Sequence, residues 1–381
     1  MSQPKKSSKQ KQKEEQAQIN FDPSTTNIDE LLPHLIKSKH IIGISTVLEA
    51  YHEKIQDSTL LSVCVYLARN PGYASLIEKF YERLNKNYPV QVASIKAYIL
   101  INSSTPGTRQ EMCNKAVAIL EEARKSDKKN PQILFNLAYI YALLHNKELS
   151  FTYLKGALAK HKKRLPYASA LLLMIRILRS NCQTEEALTL ANYSYDLLNR
   201  YDRNISIEGM FAAAEKGDMS RMEFFFQKLK KNYKKDTTAM ESVTKINLML
   251  GKIQNATECF QTWSEFDKES PEFFFCCAQL CLAANDTTEA LHNLLFAIQL
   301  DPENAEYIAN LATILFKTGS KDKACDYARA AIRANPDSVH AWLAMSSVTA
   351  DETEARECLN KAIELRKTVV DLSGISIILN E

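Results

Sequence analysis

Glycine and proline are scarce, 9 and 11 among 381 residues. Chains rich in tight turns need both, one for positive φ and the other for a preset turn, so a fold with many hairpins is excluded. No stretch approaches eighteen consecutive apolar residues, and no basic segment followed by an apolar run opens the chain, so neither membrane insertion nor secretion is expected. The nine cysteines follow no framework spacing, and several lie in apolar stretches. Reduced core thiols are the consequence, with a cytoplasmic setting expected and the nucleus as the alternative. Catalytic signatures are missing too. There is no HExxH pair, no phosphate-cradling glycine loop and no nucleophile beside its base, so no enzyme activity and no cofactor is expected.

What remains is 45% hydrophobic and 24% charged residues, ordinary for a folded protein. Residues 1–20 carry five lysines against two glutamates and are otherwise mostly Gln and Ser, which predicts a disordered basic tail. That tail holds the whole chain's net +3, so the rest is neutral. A neutral body is poorly suited to phosphate backbones, and nucleic acid is not the expected partner.

A period of 34 residues organises the chain. Pro302 and Pro336 are one period apart, and Gly217, Gly251, Asn285 and Gly319 form a series in which every member tolerates the left-handed conformation that closes a helix. Met222, Ala256, Ala290 and Ala324 recur in the same register, as do Leu229, Trp263, Ala297 and Ala331. Ala278 and Ala312 mark a third small position. Small residues at fixed intervals mean antiparallel helix pairs whose axes come close.

Together with the bulky Phe274 and Trp342 at the fourth position and the closing prolines, this pattern resembles the tetratricopeptide repeat. The resemblance implies an all-α fold, a right-handed α-α superhelix (solenoid) of about nine or ten helix pairs. Degenerate helical pairs are expected at 21–89 and repeats at 90–368, clearest at 131–164, 203–236, 237–270, 271–304, 305–338 and 339–368. Residues 369–381 are expected to be a half-repeat or a C-terminal tail. Trp342 and Ala355 are 13 apart where the family spacing is 16, which predicts a shortened turn between the last two helices.

In this family, positions two, five, nine and twelve of each first helix face a partner-binding groove. The resemblance places Phe135, Tyr139, Phe275, Gln279 and Phe316 there, with Asn136 and Asn310 at position six as backbone-binding amides. Packing between helices is the alternative role for the aromatics. A clamp for a chaperone's terminal carboxylate is disfavoured, because His340, Ala344, Ser169 and Leu173 stand where its other members belong. Cys276, Cys277 and Cys281, with His292 nearby, resemble a metal cluster only superficially: Cys277 and Cys281 occupy the repeat's own core positions, and no metal site is expected. The basic runs Lys160–Arg164 and Lys228–Lys235 fall at helix ends, where cations complement the negative pole.

The expected function is therefore a non-catalytic scaffold for protein–protein interaction, a subunit of a multiprotein complex that binds partner segments along its groove. A transient peptide adaptor is the alternative, and an RNA-associated helical repeat a weaker one. The apolar end, Val370–Glu381, is expected to be covered by a partner or by self-association through a second copy.

Overall fold

A computed structural model describes residues 27–70, 72–105, 107–159, 167–233 and 235–379. The basic tail at 1–20, the run Lys160–Arg164 and the insertion ending at Pro166 lie outside them. Among the described residues there are twenty-one α-helices, a 3-10 turn at His52–Lys54 and no strand. The chain divides into two compact units, one of Met1–Ile140, Lys155–Leu165 and Ser376–Glu381, the other of Tyr141–Leu154 and Pro166–Ile375.

In the first unit, α1 (Ile28–Lys37) pairs with α2 (Ile41–Tyr51). Helix α3 (Asp57–Ala68) is followed by two five-residue pieces, α4 (Ala74–Glu78) and α5 (Tyr81–Asn85), which together replace one second helix. Arg83 ties this irregular stretch down: its Nε donates to Asp57 Oδ1 at 2.7 Å, and its guanidinium also donates to the carbonyls of His52 and Ile55. Regular pairing begins with α6 (Pro89–Asn102) and α7 (Arg109–Arg124). Two of the dividing lines between the units fall within α8 (Pro131–Leu143) and α9 (Lys147–Leu158).

The second unit is the more regular. Its pairs are α10 (Tyr167–Ser180) with α11 (Thr184–Leu198), α12 (Arg203–Lys216) with α13 (Met219–Asn232), and α14 (Thr237–Met249) with α15 (Ile253–Ser264). Then come α16 (Pro271–Ala283) with α17 (Thr287–Leu300), α18 (Ala305–Lys317) with α19 (Lys321–Ala334), and α20 (Val339–Val348) with α21 (Glu352–Thr368). First helices also lie side by side, α14 against α16 and α18 against α20.

Local chemistry sets these boundaries. Asp202, Asp218, Asp236, Ser270, Asp286, Asn304, Ser338 and Asp351 each cap a helix by accepting from a backbone N–H of its first turn. At the other ends Gly217, Gly251, Asn285 and Gly319 all take positive φ, from 61° to 87°. The next residue's N–H then reaches back five positions, as from Ser320 to the Leu315 carbonyl at 2.9 Å, and satisfies an orphan acceptor. His145 and Cys182 close α8 and α10 in the same way, at φ 58° and 60°. Neither is a residue type that signals such a turn.

The alanine ladder is buried throughout: Ala256, Ala290, Ala297, Ala324 and Ala331 have no exposed surface. Some positions of its register hold other residues. Thr244 stands where the next two units have Ala278 and Ala312, and its hydroxyl is buried without a partner among the described residues. Gly209 approaches α13 so closely that a Cβ there would lie 2.5 Å from the Phe225 ring, which is itself buried. Gly209→Ala is therefore expected to cost about 1–3 kcal/mol by overpacking, against the usual benefit of alanine in a helix, read as a lower urea midpoint.

One spacing expectation is corrected. The turn Thr349–Asp351 is as long as the turn Thr318–Ser320, so the three missing residues are taken from α20, which has 10 residues where α18 has 13. An extended Thr349 ends α20 early, and Asp351 starts α21 by accepting from the N–H groups of Thr353 and Glu354.

Candidate functional site

After α21 the chain does not form another first helix. Residues 369–379 are irregular, with a turn in which Ile375 N donates to the Leu372 carbonyl at 3.0 Å and Gly374 takes φ 70°. The segment is a tail. Its apolar side chains, Val370, Ile375, Ile377, Ile378 and Leu379, are nevertheless buried, so the chain itself covers its apolar end.

In the first unit, α8 and α6 hold this tail through amides. Asn136 Nδ2 donates to the Ile378 carbonyl at 2.9 Å, while Asn136 Oδ1 accepts from the Ile378 N–H at 2.8 Å. One side-chain amide thus makes the pair of bonds that a neighbouring strand would make. Gln132, one turn earlier on α8, donates to the carbonyls of Ile378 and Leu379 at 3.1 and 3.3 Å. Ser94 of α6 orients both: its hydroxyl accepts from Gln132 and Asn136 and donates to the Val90 carbonyl. All three polar side chains are buried and each is hydrogen-bonded, which fixes the amides in place.

In the second unit the corresponding group is Arg176 of α10, alone in an apolar run and buried. Its Nε donates to Glu208 of α12 at 2.6 Å, leaving Nη1 to donate to the carbonyls of Asp371 and Ser373 at 3.1 and 2.7 Å. Glu208 also pairs with Arg179, which reaches Glu215 at 2.6 Å. Burial opposes the Arg179 charge, but the bonds from Glu215 and Glu208 outweigh it and hold the guanidinium pKa above its usual value.

The sequence-selected residues fall into two groups. Phe135 is completely buried beside Asn136, and Tyr139, half-buried on the same helix, has its phenol pKa raised by burial. Phe275 is enclosed too: its ring lies 4.8 Å from the Tyr307 ring, and Lys245 Nζ sits 4.8 Å from its centroid. Phe135 and Phe275 thus present no ring face to a ligand in this conformation, Phe275 because Tyr307 and Lys245 of the neighbouring first helices close over it. Gln279 donates to Asn310 Oδ1 at 2.9 Å, and the Asn310 amide bonds its own helix at Glu306, so the second position-six asparagine is engaged laterally. Phe316 is half-buried, packed against the cluster that joins Ala312, Ala324, Met345 and Val348.

The charges of this face are paired. Lys245 lies 2.9 Å from Glu241 and 3.3 Å from Glu306, and these carboxylates overcome its burial and raise its pKa. Cys276 is fully buried, and burial pushes the Cys277 thiol up to about 12. Among the described residues no group of three or more His, Cys, Asp or Glu side chains is placed to hold a metal ion. Lys230 and Lys231 stand in the last turn of α13, and Lys228 lies over the rings of Tyr201 and Phe224.

Sequence reasoning missed Ser94, Arg176 and Glu208. The signal for Arg176 was available as a single cation within ALLLMIRIL, since an arginine on a buried face needs a nearby carboxylate. Nothing local distinguishes Ser94.

A family model described as a tetratricopeptide repeat matches residues 278–339. No curated protein matches in sequence. Among solved structures, yeast Tom70 is similar over 88% of this chain and 88% of its own, with 14% identity and a TM-score of 0.54. A tetratricopeptide repeat protein from Parabacteroides merdae shares 14% identity over 64% of this chain and 93% of its own, TM-score 0.49. The APC/C hetero-tetramer Cut9–Hcn1 shares 13% over 89% and 67%, TM-score 0.45. The likeness to Tom70 concerns the fold alone. Among the described residues no helix is long and apolar enough to cross a membrane. The 34-residue register, the buried alanine ladder and the family match at 278–339 together give an all-α repeat fold of tetratricopeptide type.

Proposed function

We propose that this protein is a non-catalytic scaffold that binds extended segments of other proteins on its first helices, as a subunit of a larger complex. The observation that carries the reading is the two-bond engagement of Ile378 by Asn136. A side-chain amide that satisfies both backbone groups of one residue reads an extended chain irrespective of its sequence, while the surrounding apolar surface selects which side chains fit. Nine free cysteines, several of them buried, support a reducing setting, the cytoplasm or nucleus.

In native extract the protein should elute far above 43.2 kDa and return the same partner chains by affinity purification through either terminus. Elution near its own mass, with a partner that washes off, would favour the transient adaptor instead. RNA association has less support, because Arg176 and Lys245 are already neutralised by Glu208, Glu241 and Glu306. Binding that falls steeply with salt would revive it.

A further inference from the structure

We infer that the C-terminal tail is a tethered ligand: it occupies the binding face of its own chain, and a partner segment of the same chemistry binds by displacing it. This rests on the reading of the first-helix face as a binding surface and adds how that surface is regulated.

Apart from the contacts of Arg176 Nη2 with the Asp371 carboxylate at 3.2 Å and the Ser373 hydroxyl at 3.4 Å, the bonds that hold the tail are directed at its backbone. Asn136 and Gln132 engage the main chain of Ile378 and Leu379 in the first unit, and Arg176 the carbonyls of Asp371 and Ser373 in the second. Any extended segment offers the same groups. Residues 369–379 have no internal regular structure beyond one turn, so their departure breaks no helix. Such a segment can lift away by local opening.

Its side chains define the competitor. Ile375, Ile377, Ile378 and Leu379 are buried, whereas Ser373, Gly374 and Ser376 are exposed. The face therefore fits an extended segment with closely spaced branched aliphatic residues and small polar neighbours. Once displaced, the tail would expose those aliphatic side chains, so the closed form prevails until a partner arrives. Tethering gives the tail a high effective concentration, and a free segment competes at a disadvantage of at least about ten-fold.

The probe is a labelled synthetic peptide, Val370–Glu381, titrated against the full chain and against full-length Ile378→Pro. The substitution removes the N–H that Asn136 accepts and leaves every helix intact. The peptide should bind Ile378→Pro at least about ten-fold more tightly than the unsubstituted chain, and adding Asn136→Ala should abolish that gain. Equal, measurable binding to both would overturn occupancy by the tail while leaving the binding face in place. No binding to Ile378→Pro, with its helicity unchanged, would overturn both readings. Independently, in the unsubstituted chain the Ile378 amide should exchange with deuterium well before the interior amides of α8. Exchange only together with α8 would make the tail a permanent part of the fold and end the proposal, as would a dimer in which each copy's tail fills the other's face.

Discussion

Glu208→Gln is expected to destabilise the protein by about 3–5 kcal/mol, measured as a fall in the urea midpoint at unchanged slope. The carboxylate stands between two guanidinium groups, Arg176 at 2.6 Å and Arg179 closer still, and all three are largely removed from water. Without its charge, Arg176 and Arg179 lose the buried carboxylate between them and keep only the more exposed Asp371 and Glu215. Arg176→Met should cost less, because Glu208 keeps Arg179, and Arg179 keeps Glu215. Combining Arg176→Met with Glu208→Leu should recover part of the loss, since burying a matched apolar pair avoids the desolvation of both ions. A loss below about 1 kcal/mol for Glu208→Gln would mean that water screens this group as it does a surface pair.

Phe135→Ala should cost about 3–5 kcal/mol, the usual range for truncating a buried phenylalanine. Its ring has no exposed surface, so the loss combines lost apolar burial with the cavity left behind. Asn136 is the next residue on α8 and points to the tail, which makes the pair a test of packing against recognition. If Phe135→Ala left stability within about 1 kcal/mol and instead abolished peptide capture, the ring would be a recognition element and the packing account would fail.

Much of the architecture could be read from residue order. Repeats carry their own register, because a helix pair that must approach its neighbour closely needs a small side chain at one fixed place in every period. The left-handed closures at Gly217, Gly251, Asn285 and Gly319 followed from residue type for the same local reason. His145 and Cys182 close helices identically but did not announce themselves, since neither residue type signals a positive φ. The shortening before α21 was visible as a spacing, while its location in α20 was not, because a period counts residues and does not say which element loses them.

The candidate site was legible in part. Position six identified Asn136 and Asn310 from the register, yet one engages the tail backbone and the other a glutamine on α16. Identical positions diverge because a side-chain amide bonds whatever the neighbouring helix brings within about 3 Å. The sequence by itself determined the helical period, the glycine and asparagine closures and the alanine contacts, all properties of neighbours within one or two turns or one repeat. Only the tertiary structure decided what covers the apolar end, which aromatics are sealed and where Arg176 finds its carboxylate. Those contacts join residues separated by 32 to 247 positions, and no local preference encodes a partner that far along the chain.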